Sequence, residues 1–189
     1  YTTLFRSDVV RVEKWRVVEI SLTSTEEYNN PFLAVDVRAE FRSESGRIIT
    51  LWGFWDGGSS WKIRFAPAET GEWQYLTSAS NTDDKGLHGI AGTISCVPYE
   101  GELAIYRHGF LKVGPKGRFL VYNDNTPFFW LGDTHWTFVT EERFDESNCP
   151  RYDSQFKACV DKRVAQKFNV YQCNFRDGKG FSVFGRYEI

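Results

Sequence analysis

Alternation of apolar and polar residues dominates the first half of the chain. In the segment AVDVRAEF, residues 34–41, Val35, Val37, Ala39 and Phe41 alternate with Asp36, Arg38 and Glu40, and WKIRF, residues 61–65, repeats the pattern. A period of two places successive side chains on opposite faces of a strand, so each segment buries one face. Turn-forming residues precede the strand-like segments that follow them, at Ser45-Gly46, Asp56-Gly57-Gly58 and Thr70-Gly71. The pattern predicts a β-sandwich of immunoglobulin-like size over residues 8–103.

The second half has a different pattern. Residues 114–117 and 123–126 read as hairpin turns, and PFFWL, residues 127–131, reads as a buried strand that includes Phe129. A long connection over residues 134–153 precedes a predicted helix with Asp153 or Ser154 as its N-cap. The helix has apolar residues at helical spacing, namely Phe156, Cys159, Val160, Val164 and Phe168. FNVYQCNF then reads as a second buried strand, which completes a βαβ unit with parallel strands.

Polar and aromatic residues follow the apolar part of each predicted parallel strand. Asp133, His135 and Trp136 end the first strand, while Gln172 and Asn174 end the second. Strand carboxyl ends form the active face of parallel α/β folds, so these five residues are the predicted site. Carboxylate, imidazole and amide groups bond hydroxyls and an indole packs on C–H surfaces, which suits a carbohydrate.

Other candidate residues have simpler interpretations. Trp52, Trp55, Trp61 and Trp73 resemble a sugar-binding platform, but three of them fit the alternating pattern of the sandwich, which favours core packing. His108 is interpreted as packing at the seam between the two domains. The acidic residues Asp83, Asp84, Glu141 and Glu142 are interpreted as solvated loop charges. A metal bound through the Asp-x-His triplet is the weaker alternative, because the chain contains only 3 His.

Composition narrows the function classes. The chain has 189 residues, a net charge of -2 and 41% hydrophobic content, so neither nucleic acid nor a membrane is an indicated partner. The four cysteines lack metal-site spacing and are interpreted as small buried hydrophobes; no metal or other cofactor is predicted. YTTLFRS, residues 1–7, resembles the translation of a sequencing-library adapter and is interpreted as a non-native leader.

Several phrases carry a family resemblance. NPFLAVDVRAEF, LWGFWDGGSSWKIRFAPAETGEW and GTISC resemble the immunoglobulin-like sandwich that precedes the catalytic barrel in a group of bacterial carbohydrate-active proteins. GFLKVGPKGRFLVYNDNTPFFWLGDTHW followed by FNVYQCNF resembles the start of the apiosidase-like glycoside hydrolase barrel. The resemblance implies a mainly β chain in which the sandwich precedes a truncated (β/α)8 barrel over residues 104–189. It also implies a glycoside hydrolase whose two catalytic carboxylates lie on later strands, beyond Ile189. The alternative function is a non-catalytic carbohydrate-binding or adhesion module.

Overall fold

The structure is a computed structural model, and it describes residues 9–135, 147 and 149–173 of the chain. The predicted leader at residues 1–7 lies outside them. The chain divides into two compact units, Tyr1–Thr126 and Pro127–Ile189, and each is described by itself. The division follows Thr126, whereas the domain boundary at residues 103 and 104 stays a prediction from sequence.

The first unit is built mainly of strands. Its strands are β1 (Val10–Glu13), β2 (Val18–Thr23), β3 (Val37–Ser43), β4 (Ile48–Trp52), β5 (Phe54–Trp55), β6 (Ser60–Phe65), β7 (Gly71–Ala79), β8 (Ala91–Val97), β9 (Leu111–Val113) and β10 (Leu120–Tyr122). Two single-turn helices are α1 (Pro31–Ala34) and α2 (Ala104–Arg107).

These strands form two main sheets. The first sheet has the order β1-β8-β7-β3-β4, and the second has the order β2-β6-β5. All neighbours in both sheets are antiparallel except β1 and β8, which are parallel. The predicted turn glycines have positive φ, for example 86° at Gly46 and 112° at Gly71, and glycine takes such angles without steric cost. The turn chemistry read from the sequence is therefore confirmed.

The core lies between the two sheets. Val37, Ala39 and Phe41 of β3 are at most 1% exposed. Trp61, Ile63 and Phe65 of β6 are at most 3% exposed. The rings of Phe41 and Phe65, one from each sheet, stack with centroids 4.0 Å apart. Burying each such side chain contributes about 1.5–3 kcal/mol, so this face-to-face packing holds the two sheets together. The alternation in the sequence predicted these buried faces correctly.

A smaller packing region involves the segment after β8. Strands β9 and β10 form an antiparallel hairpin, in which Val121 is only 1% exposed. Trp15 is 6% exposed, and its ring lies 5.3 Å from that of Phe110. Phe110, which lies beyond residue 103, therefore packs against Trp15, which precedes β2.

The second unit contains a parallel strand pair connected through a helix. Its described elements are β11 (Pro127–Phe128), β12 (Gly132–His135), α3 (Gln155–Ala165) and β13 (Val170–Cys173). Strands β12 and β13 pair in parallel, as predicted for a βαβ unit. Helix α3 begins after Ser154, whose Oγ accepts a hydrogen bond from the Lys157 backbone N–H at 3.1 Å. Ser154 is thus the N-cap, because its side chain satisfies an amide that has no partner inside the helix.

Two details of the second unit differ from the prediction. The parallel strand begins at Gly132, so residues 127–131 are not its body, and Phe129 is 77% exposed rather than buried. Strand β13 has no fully buried residue. A run of apolar residues indicates where a strand is favoured, but whether its side chains are buried depends on the elements that pack against it. As a whole, the described chain is mainly β, with several sheets.

Candidate functional site

The parallel pair brings the carboxyl ends of two strands together. His135 ends β12 and lies beside Cys173, which ends β13, while Asp133 lies beside Tyr171. Side chains of directly paired residues project from the same face of a sheet, and alternate residues share that face. Asp133, His135, Tyr171 and Cys173 therefore lie on one face, and each is partly buried.

Helix α3 contributes a cation to that face. The Nε–H of Arg163 donates a hydrogen bond to Oδ2 of Asp133 at 2.5 Å, with both side chains about one-third exposed. The guanidinium also donates to Oε1 of Gln166 at 2.8 Å and lies 5.1 Å from the ring centre of Phe168. Three contacts hold Arg163 in place, so the Asp133 carboxylate faces a fixed positive charge.

His135 contacts an aromatic residue of the neighbouring strand. Its Nδ1 lies 2.7 Å from the hydroxyl of Tyr171, and the two rings are 6.0 Å apart. The ring of Phe156, from the first turn of α3, meets Tyr171 edge-on at 5.7 Å. The imidazole is thus oriented by a hydroxyl that itself packs on the helix, an arrangement that fixes one ring nitrogen.

Gln172 is not on this face. Gln172 pairs with Thr134, so both project from the opposite face of the sheet, where both are exposed. Trp136 and Asn174 lie outside the described residues. The structure therefore brings Asp133 and His135 together and places Gln172 away from them.

The chemistry available on the face of Asp133 and His135 is hydrogen bonding with one compensated charge pair. In the part of the chain that is described, no group of three or more His, Cys, Asp or Glu side chains could hold a metal ion. Asp133 can accept and His135 can donate or accept, which is what a hydroxyl-bearing ligand requires.

A buried carboxylate that the sequence reading missed lies in the first unit. Asp84 is 0% exposed, so its interpretation as a solvated loop charge is wrong. It accepts hydrogen bonds from the hydroxyls of Ser24 at 2.6 Å and Tyr28 at 2.9 Å, and from the backbone N–H groups of Thr25 and Gly86, both at 3.0 Å. Burial alone raises the pKa of this carboxyl, but the hydrogen bonds, led by that of Ser24, outweigh burial and lower the pKa below its usual value. All of these donors except Gly86 come from residues 24–28, and spacing in the sequence carries no signal of a contact between segments so far apart.

His108 forms a second polar pair. Its Nδ1 lies 2.7 Å from Oδ2 of Asp124, whose other oxygen accepts the backbone N–H of Thr126 at 2.9 Å. The hydrogen bond from the Thr126 backbone N–H is the largest cause and the contact with His108 is the second, and together they lower the pKa of Asp124 to about 2. Both members of the pair are partly exposed, and both belong to the first unit. This pairing ties the residue after α2 to the turn after β10, a local structural role.

The remaining predictions on tryptophan and cysteine hold only in part. Trp61 and Trp73 are in the core at 3% and 0% exposure, but Trp52 and Trp55 are exposed by 64% and 37%. Cys96 is buried, as predicted, whereas Cys149, Cys159 and Cys173 are only partly buried. Glu141 and Glu142 lie outside the described residues. Among the helices that the structure describes, none is long and apolar enough to cross a bilayer.

Comparison with solved structures finds a protein that is similar to this chain. The chain is similar to a "putative glycoside hydrolase" from Bacteroides vulgatus ATCC 8482, with 31% sequence identity and a TM-score of 0.57. The similarity covers 67% of this chain and 23% of the Bacteroides protein, so the chain spans less than a quarter of that protein. The chain is thus similar in sequence and fold to a glycoside-hydrolase-like protein.

Family models specify the resemblance further. Residues 114–182 match the model described as "Apiosidase-like, catalytic domain", and residues 11–80 match "Domain of unknown function (DUF5060)". The apiosidase-like resemblance read from the sequence is therefore confirmed, and so is the order of the two segments. Among curated proteins, none matches the chain.

Proposed function

We propose that this chain is the N-terminal portion of a glycoside hydrolase that acts on plant or microbial polysaccharide. The observation that carries the proposal is the match of residues 114–182 to an apiosidase-like catalytic domain. It is supported by the parallel pairing of β12 and β13, because parallel strands joined through a helix are the repeating unit of a (β/α)8 barrel. In this proposal residues 8–103 form an immunoglobulin-like accessory domain, and residues 104–189 begin the barrel.

The reaction requires two carboxyl groups flanking the scissile bond. One protonates the leaving oxygen, and the other acts as nucleophile or activates a water. A full barrel takes about 250 residues, and residues 127–189 supply about a quarter of that length. We therefore place the catalytic carboxylates on strands beyond Ile189.

The proposed role of the predicted site is substrate binding. Asp133 and His135 offer an acceptor and an orientable imidazole at the carboxyl end of β12, and Trp136 follows directly. Gln172 and Asn174 stay predicted sugar contacts; because Gln172 projects from the face opposite His135, it would reach the same sugar only around the carboxyl end of β13. The fixed Arg163 partly neutralises Asp133, which favours hydrogen bonding over a role in proton transfer.

Release of reducing sugar tests the proposal. The 189-residue chain and a longer chain, extended through the reading frame past Ile189, would be assayed on pectic, hemicellulosic and arabinogalactan polysaccharides. We expect turnover by the longer chain only, and loss of that turnover when one of two carboxylates beyond Ile189 is replaced by its amide. Turnover by the pure 189-residue chain, or none by the longer one, would overturn the proposal.

A non-catalytic carbohydrate-binding module is the second candidate. Exposure of Trp52 and Trp55 favours it, because exposed indoles are suited to stacking on sugar rings. The same assay separates the two functions, since a binding module releases no sugar from any substrate at any length of chain.

A further inference from the structure

A cleft of about 330 Å³ opens in the first unit, and aromatic side chains dominate its walls. This volume is near the lower limit for protein clefts that bind small molecules. Its lining includes Phe32, Asp36, Trp52, Phe54, Trp55 and Trp61.

Three of these rings are unusually exposed for their size. Phe32 is 75% exposed, Trp52 is 64% exposed and Trp55 is 37% exposed. Single exposed apolar residues are common on proteins, but several around one cleft indicate a binding surface.

The backbone explains why the tryptophans flank the cleft. The chain crosses from the first sheet to the second at Gly53, between β4 and β5, and the Gly53 N–H donates to the Val37 carbonyl at 2.8 Å. A Cβ at Gly53 would lie 3.1 Å from Cγ1 of Ile63 and 3.2 Å from the Lys62 carbonyl oxygen, tighter than most contacts. The close crossing therefore favours glycine and places Trp52 just before it and Trp55 just after it.

The indole of Trp55 is held in place. Its Nε1–H donates to the Gly58 carbonyl at 2.8 Å, across the turn that joins β5 to β6. A ring fixed in this way loses little conformational entropy when a ligand stacks on it.

Trp61 provides an unused donor. It pairs with Trp55 across the strands, lines the cleft and is 3% exposed. Within the described ranges its buried Nε1–H has no hydrogen-bond acceptor. A buried donor without a partner is costly, so an acceptor supplied by a ligand would be favoured.

We propose that this cleft binds a sugar ring of a polysaccharide. The exposed rings would pack on the C–H face of the sugar, and one hydroxyl oxygen would accept the Trp61 N–H, directly or through one water. The Asp36 carboxylate would accept a hydrogen bond from another hydroxyl. A sugar matches this combination because it has both an apolar face and hydroxyls around its edge. The site lies wholly in the first unit and does not rest on the proposed hydrolase activity.

Affinity electrophoresis of the 189-residue chain tests the proposal, with soluble pectic, hemicellulosic or arabinogalactan polysaccharide cast in the gel. We expect retardation by at least one polysaccharide. Trp52→Ala and Trp55→Ala should each weaken the apparent affinity about tenfold, because each removes a stacking face. Phe129→Ala is the matched control, since it removes an exposed aromatic ring of the second unit.

Trp61→Phe tests the donor itself, because it keeps a buried ring but removes the N–H. We expect binding about three- to tenfold weaker, with a circular dichroism spectrum like that of the wild type. If this variant does not fold, the Trp52 and Trp55 variants still decide the proposal. Three results would overturn it: no retardation in any gel, an equal loss of binding in Phe129→Ala, or self-association through this cleft that Trp52→Ala abolishes without changing polysaccharide binding.

Discussion

Arg163 of helix α3 donates a hydrogen bond to Asp133 of strand β12 and so ties the helix to the first strand of the parallel pair. Arg163 is in the last turn of α3, where a cation also interacts favourably with the negative end of the helix dipole. The carboxylate that the sequence marked as a site residue therefore has a structural partner in the same unit. Whether its charge serves the fold or a ligand can be measured.

A double-mutant cycle with Asp133→Ala and Arg163→Ala should give a coupling free energy of about 0.5–1 kcal/mol in urea unfolding. The pair is partly shielded, so we expect more than the few tenths of an exposed pair. The control cycle uses Asp153 and Lys157, which are 2.9 Å apart but more than half exposed. Equal coupling in the two cycles would show that the Asp133 contact adds nothing special.

Phe129→Ala should destabilise the chain less than His135→Ala does, although the sequence predicts Phe129 in a buried strand. Phe129 is 77% exposed, so its truncation should change the free energy of unfolding of the 189-residue chain by no more than about 0.5 kcal/mol. His135→Ala should cost about 1 kcal/mol, because the contact with the Tyr171 hydroxyl is lost. Thermal melts of both variants beside Tyr171→Phe are the measurement.

In a longer, active chain the same histidine would be tested by kinetics. If His135 binds substrate, His135→Ala should lower kcat/KM by about one to two decades, while Tyr171→Phe should have a smaller effect. An unchanged kcat/KM in His135→Ala, together with an earlier melt, would assign the residue to the fold alone.

Asp84→Asn should destabilise the first unit by about 2 kcal/mol or more at pH 7, because an amide cannot accept from all the surrounding donors. The folded state lowers the pKa of Asp84. The charged carboxylate therefore stabilises the fold at pH values above its unfolded-state pKa of about 3.9. That contribution is lost as the pH falls through the lower folded pKa. Urea unfolding at pH 7 and pH 3 should therefore show the difference between wild type and variant shrinking at acid pH.

Asp83→Asn is the matched control, since Asp83 is the exposed neighbour in the same loop. It should change the free energy of unfolding by less than about 0.5 kcal/mol. A destabilisation of Asp84→Asn that did not depend on pH would argue against the buried charged carboxylate.

The length of the first folding unit is testable by truncation. A fragment of residues 9–103 lacks Phe110 and the β9–β10 hairpin and so uncovers part of Trp15, whereas a fragment of residues 9–126 retains that contact. Re-exposing part of an indole costs about 1–3 kcal/mol, which corresponds to a melting temperature lower by roughly 5 °C or more. Equal cooperative melts of the two fragments would place the boundary at residue 103, and Phe110→Ala in the longer fragment tests the same contact.

The sequence by itself determined the features that depend on local periodicity. The alternation in β3 and β6 specified which side chains enter the core, because a period of two fixes the face of a strand whatever its neighbours are. Turn glycines and the Ser154 cap were equally readable, since each satisfies a requirement of the adjacent backbone. The apiosidase-like resemblance was also carried by the order of residues alone.

Only the tertiary structure decided which surfaces were covered and which polar groups met. Trp52 and Trp61 both lie in strands, yet Trp52 is exposed and Trp61 is buried, because Trp52 pairs with Arg38 on the outer face of the first sheet and Trp61 projects into the core. Asp84 is buried because donors almost 60 residues earlier in the chain surround it. The register of β12 and β13 sent Gln172 to the face opposite Asp133 and His135, since a one-residue change of pairing moves a side chain to the other face. These outcomes depend on contacts between segments distant in sequence, which local patterns do not encode.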